Sequence, residues 1–272
     1  MSYRTLLSHV VLGDGLPQRL AAVADVARMF EAEVIGLGAR APWPFSDEHE
    51  RGGPSFQRLV EDARAELAKT ERAFLKHSAL FPLGARWEAD ASYPDRAIAR
   101  AAAAADLVLA FRCGPVEDLS THADPASLVM EIGAPVLIMA EPGQPLVGDT
   151  VVAAWKNTRE ARRALTAALP FLVRAERVIL FSVCETGAED EMRIEQARVL
   201  RRLERHGVRA EAVVEPGSAD EAGERLLDKA SSNDAELIVA GAFGHSRLRE
   251  WVLGGVTREL LAQPSPYLLL CH

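Results

Sequence analysis

Two stretches of the chain carry nearly the same pattern of polar and apolar positions. They are Ala105-Asp106-Leu107-Val108-Leu109-Ala110 and Ala235-Glu236-Leu237-Ile238-Val239-Ala240, each an acidic residue followed by an unbroken apolar run. A short run without polar alternation is the signature of a parallel strand covered on both faces. Each run is followed by a glycine-containing loop, a helical stretch and a last apolar segment opened by proline, Pro135-Val136-Leu137-Ile138-Met139 and Pro266-Tyr267-Leu268-Leu269-Leu270.

Working back from these anchors, periodicity predicts the same order of elements twice. In the first half strands are expected over 5–12, 33–38, 85–92, 106–111 and 135–140, with helices over 17–30, 55–81, 94–104 and 126–132. In the second half strands are expected over 150–155, 177–184, 210–215, 236–240 and 266–271, with helices over 159–173, 189–206, 220–231 and 255–263. Strands alternating with helices imply right-handed crossovers and a parallel sheet covered on both faces. The chain therefore reads as α/β, with two tandem, doubly wound, five-stranded parallel-sheet domains of Rossmann-like type. The boundary falls in the proline- and glycine-rich stretch Glu141-Pro142-Gly143-Gln144-Pro145, giving domains 1–143 and 144–272. A second loose stretch, 41–54, holds Trp43 and Phe45, which are expected to cover part of a sheet edge.

Composition narrows the function classes. Apolar residues make up 49% and charged residues 26% of the 272, which suits a chain that buries a real core. A formal charge of -8 offers no general attraction to nucleic acid or to anionic membranes, and no apolar run approaches the roughly 20 residues of a membrane span. Cys113, Cys184 and Cys271 are odd in number and form no CxxC pair, which argues against a disulfide framework or thiolate metal site and for a reducing cytoplasm. Cys184 and Cys271 read as buried hydrophobes, while Cys113 sits in a loop where a redox role stays open.

Candidate chemistry concentrates in one loop. Gly241-Ala242-Phe243-Gly244-His245-Ser246-Arg247 follows the fourth strand of the second half, and Leu253-Gly254-Gly255-Val256-Thr257 leads into the next helix. In an open parallel sheet, ligands bind beyond the carboxyl ends of strands where the strand order reverses. Gly241 and Gly244 permit a tight turn and close approach, and Gly254 and Gly255 lie at a helix start whose free N–H groups favour a phosphate. Thr257 adds a hydroxyl, and His245 and Arg247 either steer phosphates or remain solvated.

The spacing of Gly241, Gly244 and Gly254, with a hydroxyl residue close behind, resembles the ATP-binding signature of the universal stress protein family. The repeated topology and the final proline-opened strand agree with that family over the whole chain, doubled as in its tandem members. The resemblance implies an adenine nucleotide alpha hydrolase-like fold, with sheet order 3-2-1-4-5 in each half and the last strands near a pseudo-two-fold axis. It also implies ATP or another adenine nucleotide, with or without Mg, held by Gly241, Gly244, His245, Arg247, Gly254, Gly255, Val256 and Thr257. Family members commonly place Ser or Thr directly after the third glycine and Asp at the end of the first strand. Here those positions are Gly255 and Lys156, the latter matching Val11 in the first half.

Aligning the two apolar runs sets Phe111 opposite Gly241, Gly114 opposite Gly244, Asp124 opposite Gly254, Pro125 opposite Gly255 and Ser127 opposite Thr257. Bulk, negative charge and a missing N–H donor leave the first half without a phosphate site by this reading. Two other glycine clusters lack the context of a dinucleotide fingerprint: Gly36-Leu37-Gly38-Ala39-Arg40-Ala41 runs into Pro42-Trp43-Pro44, and Gly13-Asp14-Gly15 has no third small residue. No P-loop, HExxH or GxSxG occurs, so no catalytic or metal residue is assigned. Three functions stay open: a nucleotide-binding stress or regulatory protein read by an unknown protein partner, a nucleotide-free scaffold whose glycines are structural, or a slow ATP-hydrolysing enzyme. The internal repeat allows either a monomer with its own pseudo-dimer or a homodimer.

Overall fold

A computed structural model describes residues 2–42, 54–112, 118–140, 144, 146–242 and 255–272. The expected alternation holds: β1 (Thr5–His9), α1 (Leu16–Phe30), β2 (Glu33–Ala39), α2 (Pro54–Leu75), β3 (Ala85–Asp90), α3 (Pro94–Ala101), β4 (Leu107–Phe111) and α4 (Pro125–Glu131) are followed by β5 (Val136–Met139). The second half contains β6 (Thr150–Ala154), α5 (Arg159–Leu172), β7 (Arg177–Cys184), α6 (Glu189–Arg205), β8 (Ala210–Pro216), α7 (Ala222–Ser231), β9 (Leu237–Gly241), α8 (Gly255–Ala262) and β10 (Tyr267–Cys271). By their contacts, Tyr3–Ala134 and Pro135–His272 form separate compact units.

In the first unit the strands run parallel in the order β3-β2-β1-β4, with Leu7 paired to Ile35 on one side and Val108 on the other. The second unit repeats that order as β8-β7-β6-β9 and continues it with β10, again parallel. β5, last in the first half by sequence, stands last in the expected order 3-2-1-4-5 and pairs antiparallel with β10, Leu137 opposite Leu269. The sheet of the second unit thus gains a strand. The contact division consequently lies ahead of Pro135, upstream of the proline-rich stretch where the sequence repeat divides.

The unbroken apolar runs are the strand cores. Leu107, Val108, Leu237, Ile238, Leu268 and Leu269 are each no more than 1% exposed. Helices present a single apolar stripe to them; on α1 the buried residues are Leu16, Leu20, Val23, Ala24, Val26, Ala27 and Phe30, at helical spacing. The expected helix 55–81 ends earlier, at Leu75, and a short 3-10 turn at Ser78–Leu80 swings Phe81 back until its ring lies 5.7 Å from that of Phe74.

The Gly36-Leu37-Gly38 cluster has a packing reason. A Cβ on Gly36 would sit 2.5 Å from the Phe74 ring, and one on Gly38 would sit 2.5 Å from the Trp87 ring. Those two rings fill the space the glycines leave, with centroids 5.4 Å apart. The acid that opens each repeated apolar run also has a role. Asp106 accepts the N–H groups of Arg4 and Thr5, at 2.7 and 3.0 Å, and Glu236 accepts the N–H of Gly148. Each carboxylate thereby ties the fourth strand of its repeat to the start of the first. No helix among the described residues is long and apolar enough to cross a membrane.

Candidate functional site

In each unit the sheet order reverses between the first and fourth strands, so the places to inspect are the β4–α4 and β9–α8 junctions. Of the residues expected to hold a nucleotide, Gly241, Gly255, Val256 and Thr257 are described; Gly244, His245, Arg247 and Gly254 lie outside the described residues.

Gly241 ends β9 pressed against the first turn of α5. A Cβ there would come within 2.5 Å of the Ala161 nitrogen and 2.6 Å of the Glu160 carbonyl carbon. The close approach that this glycine permits is therefore made inside the protein. The same turn of α5 is capped by Thr158, whose Oγ1 accepts the Ala161 N–H at 3.3 Å. Glu160, 6% exposed, pairs with the Arg159 guanidinium at 2.9 Å. Burial pushes its carboxyl up, but its own backbone N–H, Arg159 and Thr158 together outweigh burial and hold it below the usual range.

The start of α8 is different. Gly255 is exposed, and a Cβ on it would meet nothing within 4 Å among the described residues. Val256 is half-buried beside it. Thr257 is only 4% exposed and faces the protein. The helix is held from below by α7, where Gly223 lacks the Cβ that would lie 3.2 Å from the Val256 Cα. At the neighbouring end of β6, Trp155 is buried; its backbone N–H donates to the Phe181 carbonyl at 2.8 Å and its carbonyl accepts the Ser182 hydroxyl at 2.7 Å. Lys156 follows it, exposed.

In the first unit the matching helix start is filled. Asp124 caps α4: its carboxylate accepts the N–H of Ala126 at 3.3 Å, the N–H of Ser127 at 3.1 Å and the Ser127 hydroxyl at 2.8 Å. Pro125 occupies the first helical position, where its missing donor is not needed. The charge that the sequence places opposite Gly254 thus serves as an internal anion. The segment leading to it, residues 118–124, lies over the carboxyl end of the sheet. The Ser120 carbonyl accepts the Ala41 N–H at 2.8 Å, and the Asp124 N–H donates to Asp95 Oδ1 at 3.1 Å. Asp118 accepts both the hydroxyl and the N–H of Ser120, which hold its carboxyl below its ordinary range. Gly114 and Cys113 lie outside the described residues, as do Trp43 and Phe45. Cys184 and Cys271 are buried, and burial pushes the Cys271 thiol up to about 12.

Sequence reasoning finds Asp124 but not its partner. Asp95 sits on another helix, α3, and only the fold brings the two together; its one visible signal is an acid directly after a helix-opening proline. Among the described residues no group of three or more His, Cys, Asp or Glu is arranged to hold a metal ion.

The architecture defines a doubly wound α/β protein of two related units. Residues 149–265 match the universal stress protein family. A universal stress protein from Archaeoglobus fulgidus DSM 4304 shares the fold over 98% of this chain and 97% of its own, at 15% identity and a TM-score of 0.73. A functionally unknown protein from Pseudomonas aeruginosa PAO1 does so over 99% and 92%, at 17% identity and a TM-score of 0.60. No curated protein matches the sequence. The family match thus covers the second unit, and the likeness to these solved structures covers the fold of the whole length.

Proposed function

We propose that this protein binds an adenine nucleotide at the β9–α8 junction of its second unit, as a stress-response or regulatory protein whose occupied state is read by a protein partner. The observation that carries the reading is the contrast between two equivalent helix starts: α4 is capped by the Asp124 carboxylate, whereas α8 begins at an exposed Gly255 whose Cβ would meet nothing within 4 Å among the described residues. A phosphate placed there would take the N–H groups of the first turn, at Gly255, Val256 and Thr257, and the positive end of the helix dipole. Gly244 and Gly254 would let the preceding loop wrap the phosphates, His245 and Arg247 would meet their charge, and Mg bound with the nucleotide would offset part of it. Gly241 contributes by packing, not by contact.

Calorimetric titration of ATP into the full chain tests this. The expected outcome is one site, lost in Gly254→Asp, because that substitution imports the charge that closes the first unit. Two like charges about 4 Å apart repel by about 1 kcal/mol even in water, and more in a partly buried turn. Absence of binding to the unaltered protein, or full retention in Gly254→Asp, overturns the assignment.

A further inference from the structure

We propose that Trp155 is a ligand contact of the second unit, its buried indole N–H donating to an acceptor on the sugar or base of the bound nucleotide and not to the phosphates. The inference rests on the reading of the β9–α8 junction as a nucleotide site.

Trp155 follows directly on β6, where that strand adjoins β9 at the switch point. The residue is 7% exposed, and its Nε1 donor is shut off from solvent with no hydrogen-bond partner among the described residues. A buried indole N–H normally finds an acceptor, because its bond to water is otherwise given up for nothing. Here the unused donor lies at the carboxyl end of the sheet, where an open α/β fold takes its ligands.

The strand register says which part of the ligand can reach it. β6 and β9 are aligned Val151 with Leu237, Val152 with Ile238 and Ala153 with Val239, and two further rows set Trp155 beside Gly241. Residues in one row of a parallel pair share a face, and a Cβ on Gly241 would point at the first turn of α5. Trp155 thus stands on the α5 face. The crossovers through α5 and α8 run in opposite directions from the switch point, and right-handed connections place those two helices on opposite faces. A phosphate on the first turn of α8 therefore lies across the strand ends from Trp155. What extends to the indole is the sugar or the base.

The donor is also held in place. The Trp155 N–H and carbonyl are bonded to the Phe181 carbonyl and the Ser182 hydroxyl, and Ser182 Oγ accepts the Gln196 amide at 2.8 Å. Gln196 is fully buried and donates as well to the Leu180 carbonyl at 3.0 Å. A fixed donor loses little freedom when its acceptor arrives. In the first unit the same place belongs to Val10, whose backbone N–H makes the equivalent bond to the Leu37 carbonyl at 2.9 Å and which is equally buried. Packing at this strand end is met there by an apolar side chain. The N–H of Trp155 is an addition that packing does not require.

The experiment pairs calorimetry with proton–nitrogen correlation spectra of the full chain, the Trp155 indole signal being assigned through bonds to its own backbone. ATP and inorganic tripolyphosphate are the probes. ATP should move the indole N–H signal downfield, while tripolyphosphate should leave it in place. Trp155→Phe, which keeps an aromatic ring and removes the donor, should weaken ATP by about tenfold and tripolyphosphate hardly at all. ATP that binds the unaltered protein without moving the signal overturns the role of Trp155 and leaves the site assignment standing. An equal shift with tripolyphosphate overturns the sugar or base contact, and no ATP binding by the unaltered protein overturns both readings. Should Trp155→Phe fail to fold, the spectra of the unaltered protein decide alone.

Discussion

The starts of α4 and α8 stand at the same place in the two repeats and solve the same problem in different ways. A helix N-terminus leaves several N–H groups without intrahelical partners. In α4 a side chain of the protein supplies the acceptor, Asp124, and the chain before it is drawn onto α3 and β2. In α8 the first residue is Gly255, exposed and with no described residue where a side chain would go. The lesson is that of two duplicated helix starts one can carry its own internal anion, which makes it a fixed structural junction. The reading of the second unit as the ligand-binding one rests on that asymmetry more than on the glycines themselves.

The glycines can be separated from one another by substitution, and this gives the largest expected effect. Gly241→Val places carbon against the backbone of Glu160 and Ala161, which belongs to a capped helix and cannot yield easily. The unfolding free energy should fall by about 3 kcal/mol in urea titration. Gly255→Ala meets nothing among the described residues and adds a better helix former at the first position of α8, so stability should hold or rise by up to about 1 kcal/mol. Equal costs at the two positions would erase the distinction between a glycine needed for packing and one left open for a ligand.

That distinction also marks where sequence alone reached its limit. The strands, their order and the doubling were legible because buried parallel strands have to be continuously apolar, and Leu107–Phe111 and Leu237–Gly241 show it without interruption. The antiparallel seat of β5 on β10 was not, since an apolar run such as Val136–Met139 has no polar face to declare which neighbour it takes. The pair Gly36 and Gly38 looked like part of a nucleotide fingerprint, and only the missing helix excluded it; the rings of Phe74 and Trp87 that require those glycines are distant in sequence. Gly241 misled in the same way. Its partner is the first turn of α5, and a spacing motif cannot tell a backbone approached by a ligand from one approached by another helix.

The comparison can next be tested at its closed side. Asp124→Ala strips the cap from α4 and leaves two N–H groups and the Ser127 hydroxyl without their acceptor. A loss of about 1–2 kcal/mol is expected in thermal or urea unfolding, and Asp124→Asn should recover most of it, because Asn caps nearly as well. If Asp124→Ala were neutral, the closed state of α4 would have another origin, and the contrast with α8 would lose its physical basis.

The smallest expected effect compares the two units away from their switch points, at the acids that open the repeated apolar runs. Asp106 takes two N–H groups at the start of β1, whereas Glu236 takes one, that of Gly148 ahead of β6. A net intramolecular hydrogen bond contributes about 0.5–1.5 kcal/mol, and a charged acceptor lies at the upper end of that range, but Asp106 is exposed and water competes for its oxygens. Asp106→Ala should therefore cost about 1 kcal/mol, with faster exchange at the Thr5 amide. Glu236→Ala should cost a similar amount despite having one bond fewer, since Glu236 is half-buried and the N–H it leaves is less easily hydrated. Asp106→Asn and Glu236→Gln keep the acceptor and should each retain most of the stability. Were both alanine variants indistinguishable from the unaltered protein in urea unfolding, the acid would be a by-product of the duplication and not a clamp between the fourth and first strands.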